Sequence, residues 1–317
     1  MAQQLRAVKR RISSVKSTQK ITRAMELIAS SRIVKAQRRV EAARPYAEQL
    51  RNLMASVTRN AGNLDHPLLK KRETGSGRVG MIVISADRGL AGAYNSNVIR
   101  AAERAMERYD GETKLFLSGK KAISYFKFRG YDFSDAWEGY SDQPKIDNAR
   151  KVAHAAVEAF TEGEIDEVRI AYTQFESALR QRPVVTKLIP ASVEDVTGDA
   201  AEAPSANYVF EPEPEQILNF LLPRYIEGAV LQAMLEAAAS EHSARRRAMK
   251  AATDNAEELI EGLTRVYNQA RQAEITTEIM EVIGGAEALS GARRAAAAAT
   301  PKQRTALASE DLTSSGG

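Results

Sequence analysis

From Leu5 to Val57, alternating steps of three and four residues visit Leu5, Val8, Ile12, Val15, Gln19, Thr22, Glu26, Ala29, Ile33, Ala36, Val40, Ala43, Ala47, Leu50, Met54 and Val57. Thirteen of these sixteen positions are Ala, Val, Ile, Leu or Met, which predicts a long helix with a coiled-coil seam. The exceptions, Gln19, Thr22 and Glu26, fall together within KSTQKITRAMELIASSR (16–32). A second seam runs through Met249, Ala252, Ala256, Leu259, Leu263, Val266, Ala270, Ala273, Thr277 and Met280. Pro223 suits the first turn of that helix, with a shorter helix ahead of it opened by FEPEPEQ. Gly284-Gly285 is expected to weaken or end it, so that Pro223 to Ile283 would reach ~90 Å. Pro45 is expected to kink or split the first helix.

The middle of the chain has another texture. VGMIVIS (79–85), KLFLS (114–118), EVRIAYTQ (167–174) and PVVTKLIP (183–190) read as strands. Residues 96–109, 120–129 and 146–160 read as helices, and the alternation argues a mostly parallel α/β sheet. The expected fold is mixed α/β: a long antiparallel coiled coil of N- and C-terminal helices (1–60 and 211–289) with a central Rossmann-like α/β domain (75–195). Residues 195–207 read as a surface loop and 290–317 as a disordered tail.

Charge sharpens the pairing. Residues 1–60 hold 14 Lys/Arg against 3 Asp/Glu, whereas residues 211–289 hold 7 against 14. The two seams are therefore complementary in charge, and both are rich in alanine, which lets helix axes approach closely. A hydrophobic content of 44% and a charged content of 27% suit a folded, soluble protein. The chain has no cysteine, so disulfides, thiolate ligands and thiol nucleophiles are excluded. His66, His154 and His242 are too scattered for metal-ligand spacing. No apolar run reaches the ~20 residues that span a bilayer, so direct membrane insertion is not expected. The Arg-rich start superficially suits a transit peptide, but the seam runs on from Leu5, so it reads as mature helix.

Candidate chemistry is sparse. Gly75, Gly77 and Gly80 spell G-x-G-x-x-G, yet they precede the strand instead of following it, so a linker turn fits better than a dinucleotide site. SADRGLAGAYNSN (85–97) follows the first strand, where α/β proteins place ligands. It offers no nucleophile–base pair, and a tight turn with Asn95 or Ser96 capping the next helix explains it. No cofactor, metal or catalytic residue is expected. The basic first helix has Tyr46 as its one aromatic, which gives nucleic acid no stacking platform. On these residues alone, a coiled-coil shaft with an α/β head competes with a nucleotide-binding α/β enzyme carrying helical arms.

Three blocks, KITRAMELIASSRIVKAQ, SADRGLAGAYNSN and AATDNAEELIEGLTRVYNQARQAEITTEIMEVIGGAEAL, together resemble the gamma subunits of F-type ATP synthases, over roughly residues 1–289. The resemblance implies a central-stalk rotor shaft that couples proton flow through the membrane c-ring to ATP synthesis or hydrolysis on the ring of alpha and beta subunits. It implies a foot near epsilon and the c-ring, and no catalytic residue in this chain. Lys20, Arg23 and Met25 match family positions near the acidic levers of the beta subunits. Arg245, Gln272, Thr276 and Glu278 match positions facing the surrounding ring. Arg246 stands where the family usually has a methionine-type residue, Arg247 adds a further charge, and the chain runs on past Leu289. The absence of a cysteine-containing insert and of a transit peptide points to a bacterial complex, with this subunit peripheral on the cytoplasmic side of the plasma membrane.

Overall fold

A computed structural model describes residues 2–60, 66–69, 77–109, 111–191 and 214–298. Gly75 of the glycine motif, the loop expected at 195–207 and the tail beyond Ala298 lie outside the described residues. The elements are α1 (Ala2–Asn60), β1 (Val79–Ile84), α2 (Tyr94–Met106), β2 (Thr113–Ser118), α3 (Lys120–Phe128), β3 (Asp135–Trp137), α4 (Ile146–Thr161), β4 (Glu167–Phe175), β5 (Gln181–Ile189) and α5 (Pro214–Ala298). They form two compact units: Lys20–Thr253, and the N-terminal stretch to Gln19 together with the stretch from Asp254.

In the larger unit the sheet order is β3-β2-β1-β4-β5, parallel except where β5 runs antiparallel to β4. β1 is central and buried along its whole length. Its side chains alternate between two apolar layers, as the two-residue strand period requires. Met81 and Val83 join Val98, Ile99 and Ala102 of α2 and Phe126 of α3. Ile82 and Ile84 face the other way, toward Val152, Ala156 and Phe160 of α4 and Leu222 and Ile226 of α5. Gly119, between β2 and α3, has φ +99°, and a Cβ there would lie 2.2 Å from the Ser85 carbonyl oxygen. Only glycine fits so close an approach.

The three-residue β3 has no apolar run to announce it. It is held by Gly119 N–H donating to the Trp137 carbonyl at 2.8 Å and Ser134 N–H to that of Leu115 at 2.9 Å. The helices depart further from expectation. α1 is continuous through Pro45. α5 is one helix of 85 residues that contains Pro223, so the shorter preceding helix is not separate. Leu218, Leu222, Ile226 and Val230, one turn apart and fully buried, offset the hydrogen bond that Pro223 removes. α5 also runs through Gly284-Gly285 and nine residues past Leu289, so residues 290–298 are helical and not disordered.

Within the larger unit α1 and α5 are antiparallel. Tyr46 lies near Gly228, Ala36 and Val40 cluster with Leu235 and Ala239, and Thr22 meets Thr253. The α1 seam is as read. The α5 seam is out of phase: from Met249 the four-residue step comes first, through Thr253, Ala256, Ile260, Leu263, Tyr267, Ala270 and Glu274. Leu259 and Val266, expected on the seam, are 46% and 50% exposed. Choosing apolar Ala252 over Thr253 sets the wrong phase. The buried hydroxyls of Thr22 and Thr253 lie 2.8 Å apart, and Thr253 Oγ1 also donates to the Met249 carbonyl at 2.9 Å. The polar break in α1 thus meets a polar residue on α5, which fixes register. Thr253→Val, which takes that partner from Thr22, is expected to cost about 1 kcal/mol. Thr22→Val with Thr253→Val together should be nearly neutral, and urea denaturation of the three proteins measures the difference.

Candidate functional site

The segment leaving β1 is built around Asp87. Its Oδ1 accepts from Lys120 N–H at 3.1 Å and its Oδ2 from Ser141 N–H at 3.0 Å, while Asp87 N–H donates to Ser141 Oγ at 3.0 Å. Burial pulls the Asp87 carboxyl up, but the N–H groups of Ser141, Gly139 and Lys120 and the Ser141 hydroxyl outweigh it. The net shift is downward, and the group is a fixed carboxylate. Asn95 Oδ1 accepts from Ala86 N–H at 2.9 Å and Ser96 Oγ donates to the Ala93 carbonyl at 3.1 Å. Neither caps α2, whose N-cap is Ala93 without a side-chain hydrogen bond. Leu90, at φ +62°, stands 64% exposed at the tip.

Behind this loop lies a cluster of charges that no motif announced. Asp142 Oδ2 accepts from Arg32 of α1 at 2.7 Å and lies 3.4 Å from Arg88 Nη1. One turn apart on α5, Arg245 Nη2 meets Glu241 Oε1 at 2.7 Å and also donates to the Gly89 carbonyl at 3.2 Å. Burial raises the Glu241 carboxyl, Arg245 opposes this, and Asp142 and Asp87 add to the rise. His242 beside them is pushed down to about 4, first by burial, with Arg245 and Arg32 adding to it against Asp142. Tyr94 donates to the Ala237 carbonyl at 3.1 Å, and burial with the Glu241 charge holds its hydroxyl protonated. These groups tie α1, the loop after β1 and α5 together. Among the described residues no group of three His, Asp or Glu could hold a metal ion.

The residues singled out from sequence divide sharply. Lys20 and Arg23 are exposed, flank the Thr22 hydroxyl and share the outer surface of α1 with Ile21, Leu27 and Ile28. Met25 is half-buried. Arg245 is 8% exposed and turned into the polar cluster, so it braces the loop after β1 and does not face outward. Gln272, Thr276 and Glu278 are exposed on the α5 stretch of the smaller unit, and Thr276 Oγ1 donates to the Gln272 carbonyl at 2.9 Å. Interleaved with them, Ile275, Ile279, Met280, Val282, Ile283 and Leu289 are each 42–72% exposed. A series of exposed large apolar side chains of this kind marks a surface that meets protein. No helix among the described residues is long and apolar enough to cross a membrane.

A family model described as ATP synthase matches residues 4–289. The chain is 47% identical over 310 residues to the ATP synthase gamma chain of Mycolicibacterium smegmatis, covering 92% of this chain and 100% of that one. It is 46% identical over 302 residues to the ATP synthase gamma chain of Thermobifida fusca, covering 92% and 98%. A chain in the OSCP/F1/c-ring structure of the Euglena gracilis mitochondrial ATP synthase, in rotational state 3, superposes with a TM-score of 0.64. It is 18% identical, over 92% of this chain and 97% of that one. A chain of the central stalk and c-ring of the Tetrahymena thermophila mitochondrial enzyme gives a TM-score of 0.54 at 22% identity, over 73% and 99%. At these identities the two structures speak for the fold.

Proposed function

The chain belongs to the ATP synthase gamma-chain family, and on that premise we propose that it is the central rotor shaft of a bacterial, proton-translocating F-type ATP synthase. The observation that carries this reading is the series of exposed large apolar side chains on α5 from Ile275 to Leu289. Such a face needs a protein sleeve, and the ring of alpha and beta subunits supplies one. The α/β sheet forms the foot, against epsilon and the membrane c-ring, on the cytoplasmic side of the plasma membrane. Torque arises without bond chemistry in this chain. Turning the asymmetric shaft drives the nucleotide sites of the ring through different states. Lys20 and Arg23, with Met25 beside them, face the acidic levers of beta, and Gln272, Thr276 and Glu278 face the surrounding ring. Exposed charges suit that contact, since they attract at each step and release at the next, whereas a deep apolar seam would lock. Thr22 and Thr253 hold the register behind them.

Reconstitution tests this. The purified chain alone should hydrolyse no ATP, and added to the remaining subunits it should restore ATP-driven proton pumping. Exposed ion pairs contribute only ~0.2–1 kcal/mol each, so Lys20→Glu or Arg23→Glu singly should be nearly silent. The double variant should pump fewer protons per ATP, more so at low salt where screening is weak. Unchanged pumping by the double variant at low ionic strength would place these side chains away from the levers. Turnover by the chain free of alpha and beta would replace the rotor with an enzyme.

A further inference from the structure

The hairpin of β4 and β5 ends beside α5 in a turn that is basic, braced and tipped by an apolar side chain. Ser177 Oγ accepts from the N–H groups of Leu179 at 3.3 Å and Arg180 at 3.1 Å. The N–H groups of Glu176 and Ser177 donate to the Arg180 carbonyl at 3.2 and 3.0 Å, and Gln181 Nε2 donates to the Ser177 carbonyl at 2.6 Å. Arg247 of α5 ties the turn down, donating to the Ala178 carbonyl at 3.1 Å and to Gln181 Oε1 at 2.5 Å. Leu179 nonetheless stands 80% exposed at the tip. We propose that this tip is a second contact between the shaft and the ring, and that it takes an acidic segment of a beta subunit.

Charge selects the partner. Arg180 and Arg182 are exposed and share one acid, Glu176, at 2.8 and 3.6 Å. From Ser243 to Thr253, α5 beside the turn holds four bases, Arg245, Arg246, Arg247 and Lys250, and no acid. Arg245 is spent on Glu241 inside the fold. The surface around the turn keeps an excess of positive charge, which attracts an acidic segment and repels a basic one. Guanidinium groups make strong hydrogen bonds to carboxylates, and Leu179 adds an apolar contact between them. Because the turn is already held by its own hydrogen bonds and by Arg247, docking orders little more than side chains.

Position selects the ring. α1 and α5 are antiparallel, with Thr22 against Thr253 and Ala36 clustered with Ala239, so Arg247 stands level with about Ile28. Along the shaft that is about five residues from Arg23, or ~8 Å at 1.5 Å per residue. On the rotor reading, which this contact presupposes, a lever that passes Lys20 and Arg23 on α1 passes the turn beside α5 at another angle of rotation.

The chain has no cysteine, so Leu179→Cys places a single benzophenone maleimide label at the tip of the full-length protein. In the complex assembled with the remaining subunits, illumination should join the label to beta, within an acidic stretch identified by mass after digestion. The same label on Phe128→Cys, 88% exposed at the last residue of α3, should give no beta adduct. Adding Arg180→Glu and Arg182→Glu to Leu179→Cys should lower the beta adduct several-fold at low salt, and less at high salt, where exposed charges are screened. The proposal is overturned, with the rotor reading intact, if the complex pumps protons but Leu179→Cys joins another subunit, a stretch of beta without acids, or nothing. Equal beta adducts from both positions, or an adduct indifferent to charge reversal at low salt, overturn it as well. A chain that does not assemble with alpha and beta overturns both readings.

Discussion

Arg245→Ala is expected to cost about 3–5 kcal/mol, a large part of the roughly 5–15 kcal/mol that holds a domain folded. The side chains of Arg245 and Glu241 are 9% and 1% exposed, so removing the guanidinium strands a carboxylate away from water. It also frees the Gly89 carbonyl and with it the loop after β1. The loss should depend on pH in a definite direction. Glu241 titrates higher in the fold than in the unfolded chain, so its contribution is fully present below the unfolded value and fades as pH rises through the folded one. Without Arg245 the carboxyl rises further, and the variant should be closer to wild type at pH 5 than at pH 8. Glu241→Gln with Arg245→Met removes both charges and should restore most of the loss. Urea denaturation of the three proteins at the two pH values measures this. A loss below about 1 kcal/mol for Arg245→Ala would mean that water reaches Glu241.

The buried position of Arg245 also shows what a sequence carries and what it does not. Strands β1, β2, β4 and β5 and the helices between them are local events, each marked by an apolar run or a period, and they stand within a few residues of expectation. The seam of α1 is legible because its sixteen positions report one face. The phase of α5 is not. Ala252 and Thr253 both fit a 3-4 alternation, and only the partner helix, through Thr22, decides between them. Helix ends escape for a related reason: Pro223 and Gly284-Gly285 are local breakers, and propensity yields where packing or a long helix carries the chain across. β3 has no apolar run of its own and is set by pairing with β2, and Arg32 reaches Asp142 across 110 positions to build the cluster with Glu241 and His242, so no window along the chain holds these together. Lys20 and Arg23 stand exposed beside the seam, whereas Arg245, matched by resemblance to a position that contacts the ring, is buried against Glu241, a partner one turn away that no motif announces.

His242 gives the same cluster a second, opposite dependence on pH. It is 2% exposed and pushed down to about 4 from an ordinary 6.5, first by burial and then by Arg245 and Arg32, against the upward pull of Asp142. Between pH 6.5 and 4 the unfolded chain therefore takes up a proton that the fold refuses, and stability falls with acid by roughly 3 kcal/mol. Below about pH 4 the folded imidazole is protonated as well, and the loss from this group stops growing. Asp87 cannot produce the effect, since its lowered carboxyl gives up stability only below its ordinary value of 3.8. Glu241 works against it, because its raised carboxyl stabilises the fold toward acid. The urea midpoint of the wild-type chain should accordingly drop as pH falls from 6.5 to 4. In His242→Gln, which keeps a neutral polar side chain and removes the titration, the Glu241 contribution stands alone, so the midpoint should hold level or rise. Parallel acid slopes for the two proteins would assign the loss to carboxylates elsewhere and leave His242 as a neutral member of the cluster with Asp142 and Arg245.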